Sequence, residues 1–306
     1  MAAYEETTFD ISHPNPEVQK LVAIIRSPEG KLEGGTPSAP QSIALLCHGI
    51  QAHKNQTYHR SLAAALSDNG IPSIRWDFQG NGDSGGESSF GDLWKEEEDY
   101  DCVWSWLEEH GWRPDIGLSL FLDCFRQMVT FGGTWTVIAH SRGSITGNRY
   151  LCTLAKRHPS RSVPKYFVNL SARYVMARLL QRIDLFRESF ESQGYVEVKS
   201  GKRVDRGTKE QIIDFATFDT SQCITDFPRD THVLTVHGTK DTVVPFGDGE
   251  IYHLIFSERG GKGTAEMKAL DGGDHNFIGK NEVVVEYIME WLLRLRRVEG
   301  NTQAKM

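Results

Sequence analysis

Long apolar runs, clustered basic residues and paired cysteines are all scarce in this 306-residue chain. No stretch reaches the ~18 consecutive apolar residues that cross a bilayer, which argues against a membrane span. The N-terminal MAAYEETTFDISHPNPEVQK is polar and acidic and lacks the apolar segment of a secretory signal. Lys and Arg form no long cluster and the net charge is −7, so a nucleic-acid partner or an anionic membrane has no electrostatic support. Five cysteines lie scattered at positions 47, 102, 124, 152 and 223. An odd, dispersed set argues for free thiols in a reducing compartment, hence for a cytoplasmic protein. The final AKM loosely resembles a peroxisomal SKL-type address and gives the competing location.

Short apolar runs alternate with longer amphipathic segments, and no internal repeat is visible. That is the pattern of a mostly parallel sheet covered by helices. Strands are expected at 18–28, 42–49, 71–78, 134–140, 165–172, 231–238 and 265–272. Helices are expected at 57–70, 91–111, 143–158 and 282–297. In the 91–111 helix Leu93, Tyr100, Val103, Trp104 and Leu107 recur at three- and four-residue steps. Its carboxylates at 96 to 99 are read as a solvated face suited to the helix dipole.

Two segments break the alternation. Residues 173–230 carry two helical patterns separated by the hairpin-like YVEVKSGKRVDR, and look like a lid between two sheet strands. Residues 113–133 stand where a link of a few residues is normal. Either a short extra helix or a translated intron or other gene-model error explains them.

VIAHSRGS, 137–144, holds a serine between a strand and a helix. In a G-x-S-x-G turn the serine backbone is strained and its oxygen exposed, so only small neighbours fit. Here Ala139 replaces the first glycine and Gly143 supplies the second. A serine hydroxyl needs a base to take its proton, and the base needs a carboxylate to fix its tautomer. On this topology the order is serine, acid, histidine. VHGTKDTVVP places Asp241 just past one strand, and LDGGDHNF places His275 just past the next. Ser141, Asp241 and His275 therefore fall on loops at one sheet edge, where open α/β sheets bind ligands. Amides for a tetrahedral oxyanion would come from Arg142, at a helix N-terminus, and from Ile50 in HGIQAHKN.

HGI (48–50), RWDFQGNGDSGG (75–86), AHSRG (139–143), HGTKDTVVP (237–245) and GGDHNF (272–277) together resemble the α/β-hydrolases of the serine-aminopeptidase-like and cinnamoyl/feruloyl-esterase-like branch. The likeness runs from about residue 20 to 297, apart from 113–133. It implies an α/β-hydrolase fold over residues 1–306, with a central mostly parallel sheet flanked by helices. It also implies a small helical cap at 173–230, ahead of the acid-bearing strand. By the same resemblance Ser141 is the nucleophile, Asp241 the acid, His275 the base, and the Ile50 and Arg142 amides bind the oxyanion. The expected activity is hydrolysis of a carboxylic ester of a small or medium organic acyl substrate, with no cofactor and no metal. An amidase or aminopeptidase, an acyltransferase and a non-catalytic ligand-binding member are the alternatives.

Other residues have plainer roles. The glycines of DFQGNGDSGG do not have Walker A spacing. They read as a tight sheet-edge loop, with Asp77 and Asp83 structural. His48, His53 and His59 lack the matching acid or cysteine set of a metal site. His140 reads as a packing or hydrogen-bonding group within the turn. Asp274 and Asp248 rival Asp241 as the acid; adjacent side chains point apart, which disfavours Asp274 beside His275. Phe186, Phe190 and Tyr195 are candidates to line the pocket.

Overall fold

The computed structural model describes residues 4–28, 32–33, 36–37, 42–56, 58–112, 135–200 and 203–303. The 113–133 segment and the terminal AKM lie outside them. The chain begins with strands β1 (Tyr4–Ser12) and β2 (Lys20–Pro28), then the two-residue pair β3 (Leu32–Glu33) and β4 (Thr36–Pro37). Next come β5 (Ala44–Cys47), α1 (His59–Asp68), β6 (Ser73–Trp76), α2 (Leu93–Glu109), β7 (Thr136–His140), α3 (Arg142–Arg157) and β8 (Tyr166–Leu170). A 3₁₀ turn (Met176–Leu180) follows, with α4 (Gln181–Leu185), α5 (Arg187–Gln193), β9 (Tyr195–Ser200), β10 (Arg203–Thr208), α6 (Lys209–Ala216) and α7 (Gln222–Thr225). The chain closes with β11 (His232–Gly238), α8 (Phe246–Glu258), β12 (Ala265–Leu270) and α9 (Asn281–Gln303).

Eight strands form one sheet in the order β1-β2-β6-β5-β7-β8-β11-β12. From β6 to β12 every pairing is parallel; β2 alone runs against its neighbours. The central strands are apolar throughout because helices cover both faces. Ala44 and Leu46 face one layer, where Leu62, Leu66, Ile288 and Leu292 of α1 and α9 pack. Leu45 and Cys47 alternate to the other, against Val103, Trp104 and Tyr150 of α2 and α3. β9 and β10 form a separate antiparallel hairpin, as YVEVKSGKRVDR leads one to expect.

One expectation fails. The α2 carboxylates are not a solvated face: Glu96, Glu97 and Asp99 are buried and only Glu98 is exposed. Their partners come from elsewhere in the chain. Arg142 Nε lies 2.7 Å from Glu96, Arg149 pairs with Glu97, and His13 Nε2 is 3.2 Å from Asp99. Two of those partners sit on α3, which packs beside α2.

Asp77 and Asp83 are structural, as expected. Asp77 is fully buried and accepts the Lys54 backbone amide at 2.6 Å and the Asp83 amide at 2.9 Å, while the Lys54 ammonium bridges both carboxylates. This ties the loop after β5 to the glycine-rich loop after β6. Lys54→Met leaves Asp77 buried without its cation, and we expect a loss of about 3 kcal/mol in a urea unfolding curve.

Candidate active site

The strand-to-helix turn between β7 and α3 holds Ser141 at φ 52° and ψ −119°. A non-glycine residue there is strained, and the structure around it fixes the strain. The Ser141 amide donates to the Leu170 carbonyl at 2.7 Å, and the Ser141 carbonyl accepts from Ser144 and Ile145. Gly143 is required by contact: a Cβ on it would lie 2.4 Å from the His48 carbonyl oxygen. We expect Gly143→Ala to cost about 1–3 kcal/mol in denaturant unfolding, the range for overpacking. It should also displace the loop that carries Ile50.

His275 lies in the loop after β12, and its Nε2 is 2.9 Å from Ser141 Oγ. Its Nδ1 is 2.8 Å from Asp241 Oδ2. Ser141, Asp241 and His275 thus stand in one hydrogen-bonded line at the carboxyl edge of β7, β11 and β12. Oδ1 of Asp241 accepts the Val243 and Val244 amides, both at 2.8 Å. Burial opposes ionisation of Asp241, but hydrogen bonds from His237 and His275 outweigh it and hold the carboxyl well below the usual range.

His237 is a partner that sequence reasoning missed. Fully buried at the end of β11, it places Nε2 3.0 Å from the Val244 carbonyl and 3.3 Å from Asp241 Oδ2. Its position four residues before Asp241 was the available signal. The rivals are engaged elsewhere. Asp274 accepts the Asn276 and Ile278 amides, and Asp248 pairs with Arg178. His140 donates from Nε2 to the His275 carbonyl at 2.8 Å. Burial first, then the neighbouring His275, pushes the His140 ring down to about 3, so it stays neutral and steadies the backbone of residue 275.

The Arg142 amide opens α3, and the Ile50 amide follows β5. Neither N–H has an acceptor among the described residues. Gly49 packs against Ser141, since a Cβ there would meet Ser141 Cβ at 3.1 Å. His48 Nε2 accepts from the Phe78 amide at 3.0 Å, so its Nδ1 carries the proton and donates to the Gly49 carbonyl at 2.8 Å. In a planar trans peptide the Ile50 N–H then points the opposite way. The Arg142 side chain serves a different purpose: beyond Glu96, it donates to the Ser89, Phe90 and Asp92 carbonyls.

Among the described residues no group of three His, Cys, Asp or Glu side chains is arranged to hold a metal ion. His48 has the partners given above, His53 accepts the Asn55 amide, and His59 is buried beside Tyr58. Phe186 and Phe190 pack against an apolar cluster of Phe90, Ile145, Met176 and Phe215 that Ile50 also borders. Tyr195 instead lies under the Arg206 guanidinium, 4.6 Å from its ring centre.

No protein-family profile matches the chain. It is 26% identical over 296 residues to the uncharacterized protein YDL057W of Saccharomyces cerevisiae, covering 91% of this chain and 84% of that one. Ferulic-acid-bound Est1E from Butyrivibrio proteoclasticus superposes with a TM-score of 0.68 at 16% identity, over 94% of this chain and 98% of that one. XC6422 from Xanthomonas campestris, an α/β serine hydrolase without a lid, gives 0.57 at 15% identity, over 95% of each chain. Together with the strand order, these similarities establish the α/β-hydrolase fold.

Proposed function

We propose that the protein is a serine hydrolase that cleaves a carboxylic ester through an acyl-enzyme on Ser141. The observation that carries this reading is the unbroken line from Ser141 Oγ through the His275 ring to Asp241. In the reaction His275 Nε2 takes the hydroxyl proton as Oγ attacks the acyl carbonyl. Asp241 holds the Nδ1–H tautomer and stabilises the imidazolium. The Ile50 and Arg142 amides receive the oxyanion. His275 then protonates the leaving alkoxide, and the C–O bond breaks. Water enters, gives its proton to His275 and attacks the acyl-enzyme, releasing the acid and restoring Ser141. No step calls for a metal or cofactor.

Residues 173–230 act in this reading as a cap within a single domain. Supporting it, Met176, Leu179, Ile212 and Phe215 of this segment share an apolar cluster with Phe90, Leu93 and Ile145, which flank the site. The described cysteines are free, which suits a reducing compartment such as the cytoplasm. No helix among the described residues is long and apolar enough to cross a membrane.

A graded panel of aryl, alkyl and hydroxycinnamoyl esters tests the activity, the last because Est1E holds ferulic acid. Ester turnover well above that of matched amides, with free acid as product, is the expected result. Faster amide cleavage would make it an amidase. Transfer to an added alcohol in preference to water would make it an acyltransferase. Binding without turnover would make it a receptor.

A further inference from the structure

The chain leaving β8 emerges beside the nucleophile, because Leu170 at the end of that strand accepts the Ser141 amide. Sheet order sets β5 and the Ile50 amide on one side of β7, and β8 and β11 on the other. This second side carries arginine. Arg173, three residues past β8 and 7% exposed, donates to the Val243 carbonyl, in the loop that presents Asp241. Arg178 Nη1 pairs with Asp248, whose other oxygen accepts the Tyr174 amide. Arg182 follows Arg178 by four residues, on α4, which directly continues the 3₁₀ turn that carries Arg178.

The nearby acids do not balance this charge. Asp248 is fully buried and shared by the group. Asp241 is committed to His275 and His237. Asp184 pairs with the exposed Arg187, and Asp219 is bonded to Ser221. Arg182 is half-buried with no anionic partner among the described residues. Burial lowers the basicity of Arg182, and burial together with Arg182 and Arg178 lowers that of Arg173 against the pull of Asp248. An arginine withdrawn from water without a counter-charge is costly, and a planar guanidinium suits a carboxylate.

We infer that Arg173, Arg178 and Arg182 form an anion-binding subsite across Ser141 from the oxyanion amides, and that the substrate carries a carboxylate which Arg182 receives. The inference rests on the hydrolase reading and narrows it to acidic esters. Arg173 and Arg178 shape the subsite, and Arg182 supplies its open charge.

Two pairs of esters test it, one for each side of the scissile bond. The p-nitrophenyl half-ester of glutaric acid against p-nitrophenyl pentanoate places the charge on the acyl group. 4-Acetoxybenzoate against phenyl acetate places it on the leaving group. In one pair the charged ester should have the higher kcat/KM by about tenfold or more. Arg182→Gln should erase that ratio, losing about ten- to a hundredfold more on the charged ester than on the neutral one, and Arg182→Lys should keep part of it. Raising NaCl to about 0.5 M should shrink the wild-type ratio. Arg187→Gln, on the exposed pair, should leave the ratio alone. Ratios near one in both pairs, or an equal loss on both members with Arg182→Gln, would overturn the inference. Calorimetric binding to Ser141→Ala, of monomethyl glutarate against methyl pentanoate and of 4-acetoxybenzoate against phenyl acetate, reads the same selectivity without turnover. If no ester is hydrolysed yet the charged member of one pair still binds tighter and needs Arg182, only the hydrolase reading fails; equal binding within both pairs removes the subsite.

Discussion

His275→Gln should lower kcat/KM for aryl esters by about 10⁴- to 10⁶-fold while the protein stays folded. In the proposed reaction the ring has two jobs that no neutral amide performs. There its Nε2, 2.9 Å from Ser141 Oγ, removes the hydroxyl proton, and the imidazolium so formed returns it to the leaving group. His140 does not substitute: its Nε2 is already bound to the His275 carbonyl, and burial keeps its ring neutral. His275 is not part of the buried core, so the loss should appear in kcat with near-native circular dichroism and unfolding midpoint. A loss matched by unfolding would assign His275 a structural role instead.

Asp241→Asn should lower kcat/KM by roughly 10⁴-fold, through the tautomer of His275. All four contacts to Asp241 come from donors: two amides on Oδ1, and His275 and His237 on Oδ2. An asparagine cannot accept on both sides. With its oxygen toward Val243 and Val244, its NH₂ faces both rings, His275 moves its proton to Nε2, and Ser141 loses its acceptor. Flipped, the NH₂ meets the two amide donors. The same carboxylate links stability to acid. Its folded-state pKa is held below the unfolded value, so its contribution is present above about pH 4 and is lost as pH falls further. Wild type should therefore lose stability between about pH 4 and 2 that Asp241→Asn does not, measurable by urea melts across that range.

What the sequence makes legible is what local chemistry dictates. A strained serine turn needs small neighbours, and Ala139 and Gly143 stand around Ser141. Strands buried on both faces read as apolar runs, as at 42–49 and 134–140. Topology then orders serine, acid and histidine along one edge. The misses depend on contacts and exposure that the local pattern does not show. β1 hides in a polar N-terminus because an edge strand presents most of its side chains to water; only Ile11 of YEETTFDIS is buried. The acids of α2 look solvated until α3 brings Arg142 and Arg149 to them. His237 looks like any strand-end histidine until the loop after β11 folds Asp241 back to it. Arg178 belongs to a helical pattern in the sequence, and only the fold brings Asp248 of α8 to it.

The central claim is that Ser141 is an activated nucleophile. Fluorophosphonate labelling of the folded protein, with the adduct located by peptide mass spectrometry, tests it most directly. The account predicts one adduct, on Ser141, that vanishes in Ser141→Ala and slows steeply in His275→Gln. An adduct that persists in Ser141→Ala, or a folded wild type that takes no label, would contradict it.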